Sequence, residues 1–208
     1  MRNAHLLHSR GDVLAVAEDL LTREGPPGLS VRRIAEALGV SRQIVYSRFL
    51  CKPDLVRALH SEGFRRLIER FEAVTAEPGS TEHLLALGQA YRDSALASPA
   101  LFALMFGRPI ADFEPDDQAR EVALEAFVPV LDASRAWLAA HGRDAGEAPA
   151  LGLARAVWAT THGVVSLETA GLLGADDAPA MIERLLRAVL AAEPAARHDE
   201  QSSRAGRA

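Results

Sequence analysis

A chain of 208 residues, 49% hydrophobic and 25% charged, is long enough to bury a substantial core and has an ordinary soluble globular composition. Its single cysteine, Cys51, excludes an intrachain disulfide, and its longest uncharged run, the 14 residues from Ser94 to Gly107, is broken by Pro99 and too short to span a membrane. The net charge of −5 is unevenly distributed: residues 1–70 carry 12 Arg and Lys against 8 Asp and Glu, whereas the rest carries 11 against 20, the layout of a basic nucleic-acid-binding head on an acidic body.

The first ten residues, MRNAHLLHSR, hold no apolar signal-peptide segment, so a cytoplasmic protein without a membrane partner is expected. Residues 1–9 read as a flexible arm, and Arg2 and Arg10 as belonging to a solvated tail rather than to a DNA contact. Residues 12–24 place Val13, Val16, Ala17, Leu20 and Leu21 at helical spacing until GPPG stops the pattern. Ser30 then stands as N-cap to VRRIAEAL, whose Val31, Ile34, Ala35 and Leu38 share a face, and Gly39 stands as its C-terminal stop. Ser41 opens RQIVYSRF, so two short helices meet across Gly-Val-Ser, the geometry of a helix-turn-helix whose small core is closed by Val40, Val45 and Phe49.

A long helix is expected from Pro53 to about Ala76, followed by helices at 81–97, 99–107, 117–141, 149–173 and 178–192, with 193–208 as a polar, disordered tail. The fold class is therefore all-α. A three-helix DNA-binding domain over 10–57 precedes a larger helical bundle over 58–192 for effector binding and dimerisation.

The second helix of a helix-turn-helix enters the major groove by its N-terminal end. Arg42 can contact guanine, Gln43 can contact adenine, and Ile44 offers apolar contact to a thymine methyl. Tyr46 and Arg48, further along, meet phosphate oxygens more readily than bases, and Lys52, the only lysine in the chain, stands at a helix start where its ammonium and backbone amides can grip one phosphate.

The segment LSVRRIAEALGVSRQIVYSRFLCKPDLVRAL, preceded by RGDVLAVAEDLLTREG, resembles the DNA-binding domain of the tetracycline-repressor (TetR) family. Ser30, Ile34, Ala35, Gly39, Val40, Ser41, Tyr46, Phe49 and Lys52 match the family pattern in order and spacing. The resemblance implies phosphate contacts at Ser30, Ser41, Tyr46, Arg48 and Lys52, with Arg42, Gln43 and Ile44 as base readers. Arg48 departs from the usual His or Tyr, and Gln43-Ile44 from a commoner small pair, so no operator sequence is carried over.

Two later stretches, AYRDSALASPALFALMFGRP and VWATTHGVVSLETAGLL, resemble the subgroup whose C-terminal domain is marked by Trp and His-Gly. The implied protein is a homodimeric repressor that binds a palindromic double-stranded operator and is released by a small apolar effector. Tyr91, Phe102, Met105, Phe106, Phe127, Trp158 and His162 are the candidate pocket residues, and Leu153, Val157, Val164, Ile182, Leu185, Leu186 and Val189 the candidate dimer interface.

No HExxH, Walker or Gly-x-Ser-x-Gly motif occurs, and the other histidines, His60 among them, are scattered. Neither an enzyme, a metal nor a cofactor is therefore expected. The competing reading is a redox-responsive regulator in which Cys51, beside Lys52 and near Arg48, senses oxidant.

Overall fold

The structure is a computed structural model that describes residues 9–107, 110 and 113–195. The rest of the expected arm, with Arg2, and the tail beyond 195 lie outside the described residues. Every regular element among the described residues is helical. The chain divides into two compact units, one of Met1–Phe71 with Arg92–Phe127 and the other of Glu72–Tyr91 with Val128–Ala208.

In the first unit, α1 (Arg10–Glu24) starts a half-turn before the expected residue 12. Ser9 Oγ accepts the Asp12 N–H at 3.1 Å while the Asp12 carboxylate accepts the Ser9 N–H at 2.6 Å, a reciprocal cap that satisfies two otherwise orphaned donors. Arg10 is thereby part of α1 rather than of an arm. Its guanidinium lies over the Phe49 ring at 4.4 Å and donates to the Arg48 carbonyl at 3.5 Å.

A short 3-10 turn at Pro26–Gly28 leads to α2 (Val31–Leu38), where Ser30 Oγ accepts the Arg33 N–H at 3.2 Å. Gly39 stops α2 at φ 66°, and a Cβ there would meet nothing within 4 Å, so glycine is needed for its backbone angle and not for space. α3 (Arg42–Arg48) and α4 (Lys52–Glu72) follow. Val45 and Phe49 are buried with Ile34 and Ala35, while Val40 packs on that core at its edge. α4 ends four residues before the expected Ala76, after Phe71, its last buried residue and ahead of the β-branched pair Val74-Thr75.

The same core continues into Leu101 and Leu104 of α6 (Pro99–Phe106) and into Phe113. Polar ties reinforce this: Arg66 on α4 pairs with Glu18 on α1 at 2.9 Å, and Glu18 also accepts the Ser98 hydroxyl at 2.8 Å just before α6. α7 (Asp117–Glu125) is capped by Asp116, which accepts the Ala119 N–H at 2.9 Å and pairs with Arg57 of α4 at 2.6 Å. The helix-turn-helix thus shares a compact unit with α4, α6 and α7, segments that sequence periodicity assigns to the effector domain.

The second unit holds the first part of α5 (Thr81–Ala97), then α8 (Val128–Ala140), α9 (Glu147–Thr169) and α10 (Asp177–Ala192). The single helix expected over 117–141 is two, α7 and α8. Pro129 has no N–H and its ring clashes with the carbonyl four residues back, so it fits only the first turn of a new helix. α9 stops at Thr169, before the expected 173, because Gly171 takes φ 71° and the Leu172 N–H turns back to the Leu167 carbonyl at 2.9 Å. Gly88 brings α5 close to α10: a Cβ there would lie 2.9 Å from Leu186 Cδ1.

Candidate nucleic-acid interface and cavity

The recognition surface is built by caps and by a small core. Ser30 holds α2, Gly39 sets the turn, and burial of Val45 and Phe49 leaves the opposite face of α3 outward. Arg42, Gln43, Tyr46 and Arg48 are all exposed, Tyr46 at 49%, and Ile44 is half-buried. Ser41 precedes α3 without a side-chain capping bond, so its exposed hydroxyl is not committed to the helix, whereas the Ser30 hydroxyl is. Lys52 is the first residue of α4 and exposed, one turn past the end of α3. Arg42 and Lys52 have no ion-pair partner among the described residues, in contrast with Arg33 on α2, which is engaged by Glu24 and Glu36. Of the candidate base and phosphate readers, Ser41, Arg42, Gln43, Tyr46, Arg48 and Lys52 are thus exposed in the first unit, and Ser30 and Ile44 are half-buried. Cys51 is exposed in the turn between α3 and α4.

The expected pocket residues are divided between the two units. Tyr91, Trp158 and His162 belong to the second unit. There the Tyr91 hydroxyl and His162 Nδ1 are hydrogen-bonded at 2.7 Å, and the Tyr91 ring meets Trp158 edge-on at 5.1 Å. Burial raises the Tyr91 pKa, which keeps the phenol protonated, and lowers that of His162.

Phe102, Met105, Phe106 and Phe127 belong to the first unit, and of these Met105 and Phe106 line a cavity of about 400 Å³ within it. The remaining walls come from His60 and Phe64 on α4, Leu104 on α6, Phe113, Glu114 and Pro115 before α7, and Arg120 and Ala123 on α7. Gly63 lets the α6 side of this wall approach α4: a Cβ at that position would sit 2.5 Å from Met105 Sδ. His60 is 3% exposed between the rings of Phe64 at 5.1 Å and Phe113 at 5.6 Å, and burial lowers its pKa despite the nearby Asp116 carboxylate.

His60 is the functional candidate that spacing arguments pass over. A signal is nonetheless present: on α4 the apolar stripe runs Val56, His60, Phe64 at intervals of four, so a histidine occupies a place patterned for a hydrocarbon.

Of the expected dimer contacts, Leu153, Val157, Val164, Ile182 and Leu186 are at most 3% exposed within their own chain. They are used where α9 packs against α8 and α10. Leu185, 36% exposed, and the half-buried Val189 are what that set leaves for a partner. No group of three potential metal ligands occurs among the described residues, and none of their helices is long and apolar enough to cross a membrane.

Two family models match the chain: bacterial regulatory proteins of the tetR family over residues 13–59, and the tetracyclin repressor-like C-terminal domain over residues 84–192. The chain is 28% identical over 123 residues to the HTH-type transcriptional regulator Mb1846 of Mycobacterium bovis. That match takes in 57% of this chain and 53% of the relative, so the chain spans about half the length of the curated relative it matches.

Among solved structures, a protein of unknown function from Rhodococcus sp. RHA1 is 28% identical with a TM-score of 0.79, covering 92% of this chain and 99% of its own. A TetR variant from Acinetobacter baumannii AYE, solved in complex with minocycline, shares the fold at a TM-score of 0.59 and 21% identity, over 88% of this chain and 95% of its own.

Proposed function

Because the chain belongs to the TetR family of helix-turn-helix transcriptional regulators, we propose that it works in the cytoplasm as a homodimeric repressor. It holds a palindromic operator until a small, largely apolar effector releases it. The observation that carries this reading is that α4 serves both ends of one compact unit. Lys52 begins the helix beside α3, and His60 and Phe64, two and three turns later, line the cavity. Eight residues of helix separate Lys52 from His60 by about 12 Å, short enough for a rigid rod to transmit a displacement of one end to the other. An effector acts through this lever only to the extent that it prefers the DNA-incompetent form, a difference of about 5 kcal/mol for a nearly complete switch.

A dimer is supported by apolar side chains exposed on α9, after it and on α10: Leu167 at 45%, Leu172 at 75% and Leu185 at 36%. Two-fold symmetry would then set the recognition helices about 34 Å apart and require a palindromic site.

The test is binding of the full chain to DNA from upstream of its own reading frame, against random DNA at the same salt. Preference for the upstream DNA is expected. Lys52→Ala should weaken binding to all sequences and reduce the salt slope by about one. Arg42→Ala should instead relax preference at one base position per half-site, at a cost of about 1 to 3 kcal/mol. Equal affinity for upstream and random DNA would remove the operator claim.

A further inference from the structure

We infer that the cavity between α4, α6 and α7 takes a neutral aromatic molecule carrying one hydroxyl or carbonyl group, which hydrogen-bonds to His60 Nδ1. The inference rests on the effector reading above and specifies the chemistry of its ligand.

His60 Nδ1 is buried and has no hydrogen-bond partner among the described residues. Native folds leave few buried polar atoms in that condition, and because His60 itself lines the cavity, a turn of its imidazole brings this nitrogen to a ligand atom that completes the bond. The buried part of the wall, made by His60, Phe64, Leu104 and Phe113, contains this imidazole as its one polar side chain.

The charges around it are either paired or exposed to water. Asp116 pairs with Arg57 at 2.6 Å, and Arg120 pairs with Asp117 at 3.0 Å, while Glu114 is exposed. A charged ligand group reaching His60 would therefore be desolvated without a dedicated counter-ion, which disfavours it against a neutral one. A neutral imidazole suits either partner, accepting from a hydroxyl or donating to a carbonyl according to its tautomer. The ring preference follows from the walls: Phe64 meets Phe106 edge-on at 5.4 Å, and Phe64 and Phe113 flank the imidazole. Aromatic faces and edges arranged in this way favour a further ring over a flexible aliphatic chain.

Three probes of one shape separate these terms: β-naphthol, naphthalene and β-naphthoate, titrated calorimetrically into the full chain at neutral pH. Naphthol should bind about tenfold more tightly than naphthalene, the magnitude of one neutral hydrogen bond, and naphthoate most weakly. His60→Phe should remove the preference for naphthol. Ala123→Leu, which narrows the cavity from α7, should weaken naphthol and naphthalene alike and preserve their ratio.

No preference for naphthol in the unaltered protein overturns the inference even if the His60 variant fails to fold. Tightest binding by naphthoate, or no binding by any of the three, overturns it as well. Operator release is read separately by gel shift on the same titration. Binding that depends on His60 without release leaves the inference standing and removes the effector reading. Release by a charged ligand that ignores His60 does the reverse.

Discussion

The Tyr91–Trp158–His162 cluster of the second unit and the His60–Phe64–Phe113 wall of the first are made of the same materials, a histidine among aromatic rings on helical faces. They differ in one bond. His162 Nδ1 is held by the Tyr91 hydroxyl at 2.7 Å, whereas His60 Nδ1 has no partner among the described residues. The half-buried His162 has that nitrogen committed to a phenol, whereas the buried His60 is a receptor in waiting. Residue type does not separate the two cases, and only the hydrogen-bond inventory does.

The comparison can be broken by mutation. The largest effect is expected from Tyr91→Ala, which leaves a void where the buried ring stood and should cost about 3 to 5 kcal/mol in urea unfolding. Tyr91→Phe removes only the hydroxyl and its bond to His162 and should cost about 1 kcal/mol or more. His60→Phe in the other region deletes a polar atom that already lacks a partner, so its cost should stay under about 1 kcal/mol or change sign. If the two phenylalanine variants lose equal stability, the distinction between the clusters fails.

Acid sharpens the same contrast. Burial places the pKa of His60, His83 and His162 below the usual 6.5. Above that value these imidazoles are neutral in folded and unfolded chains alike. As pH falls through it, the unfolded chain binds protons first, so stability should decline, and His60→Phe should decline less than the unaltered protein. Unfolding curves compared between neutral pH and about pH 5 would check this. The smallest effect is expected at Cys51: Cys51→Ser should leave operator affinity unchanged before and after peroxide, and a loss of oxidant sensitivity in the variant would revive the redox reading.

Much of the head is legible in the sequence because its structure is local. Ser30, Gly39 and Pro53 act within a few residues of where they stand, and a cap or a left-handed glycine needs no distant partner. The Ser9–Asp12 cap is as local, and it escapes notice only when the helix is begun at its first apolar residue instead of at its cap. In the body, Pro129 lies within an apolar run whose periodicity bridges it, and a breaker placed at a helix start looks from the pattern alone like a tolerated interior residue.

The cavity is the least legible. Leu153, Val157 and Ile182 carry the signature of a buried stripe, but periodicity says that a face is covered and not whether its own chain or a partner covers it. Gathering aromatic residues by type draws on both units and passes over His60. His60 can be recognised only once the wall around it, drawn from three helices and a loop distant in sequence, is assembled.

Gly63 turns that assembly into an opportunity for engineering. Because a Cβ there would collide with Met105 Sδ, positions 63 and 105 form one coupled dial on the room available beside His60. Libraries meant to change the size of ligand this scaffold accepts should vary the two together. A single enlargement at 63 would be tolerated only as far as the flexible thioether can yield, and a paired Gly63→Ala, Met105→Val exchange would trade volume across the gap at little net change.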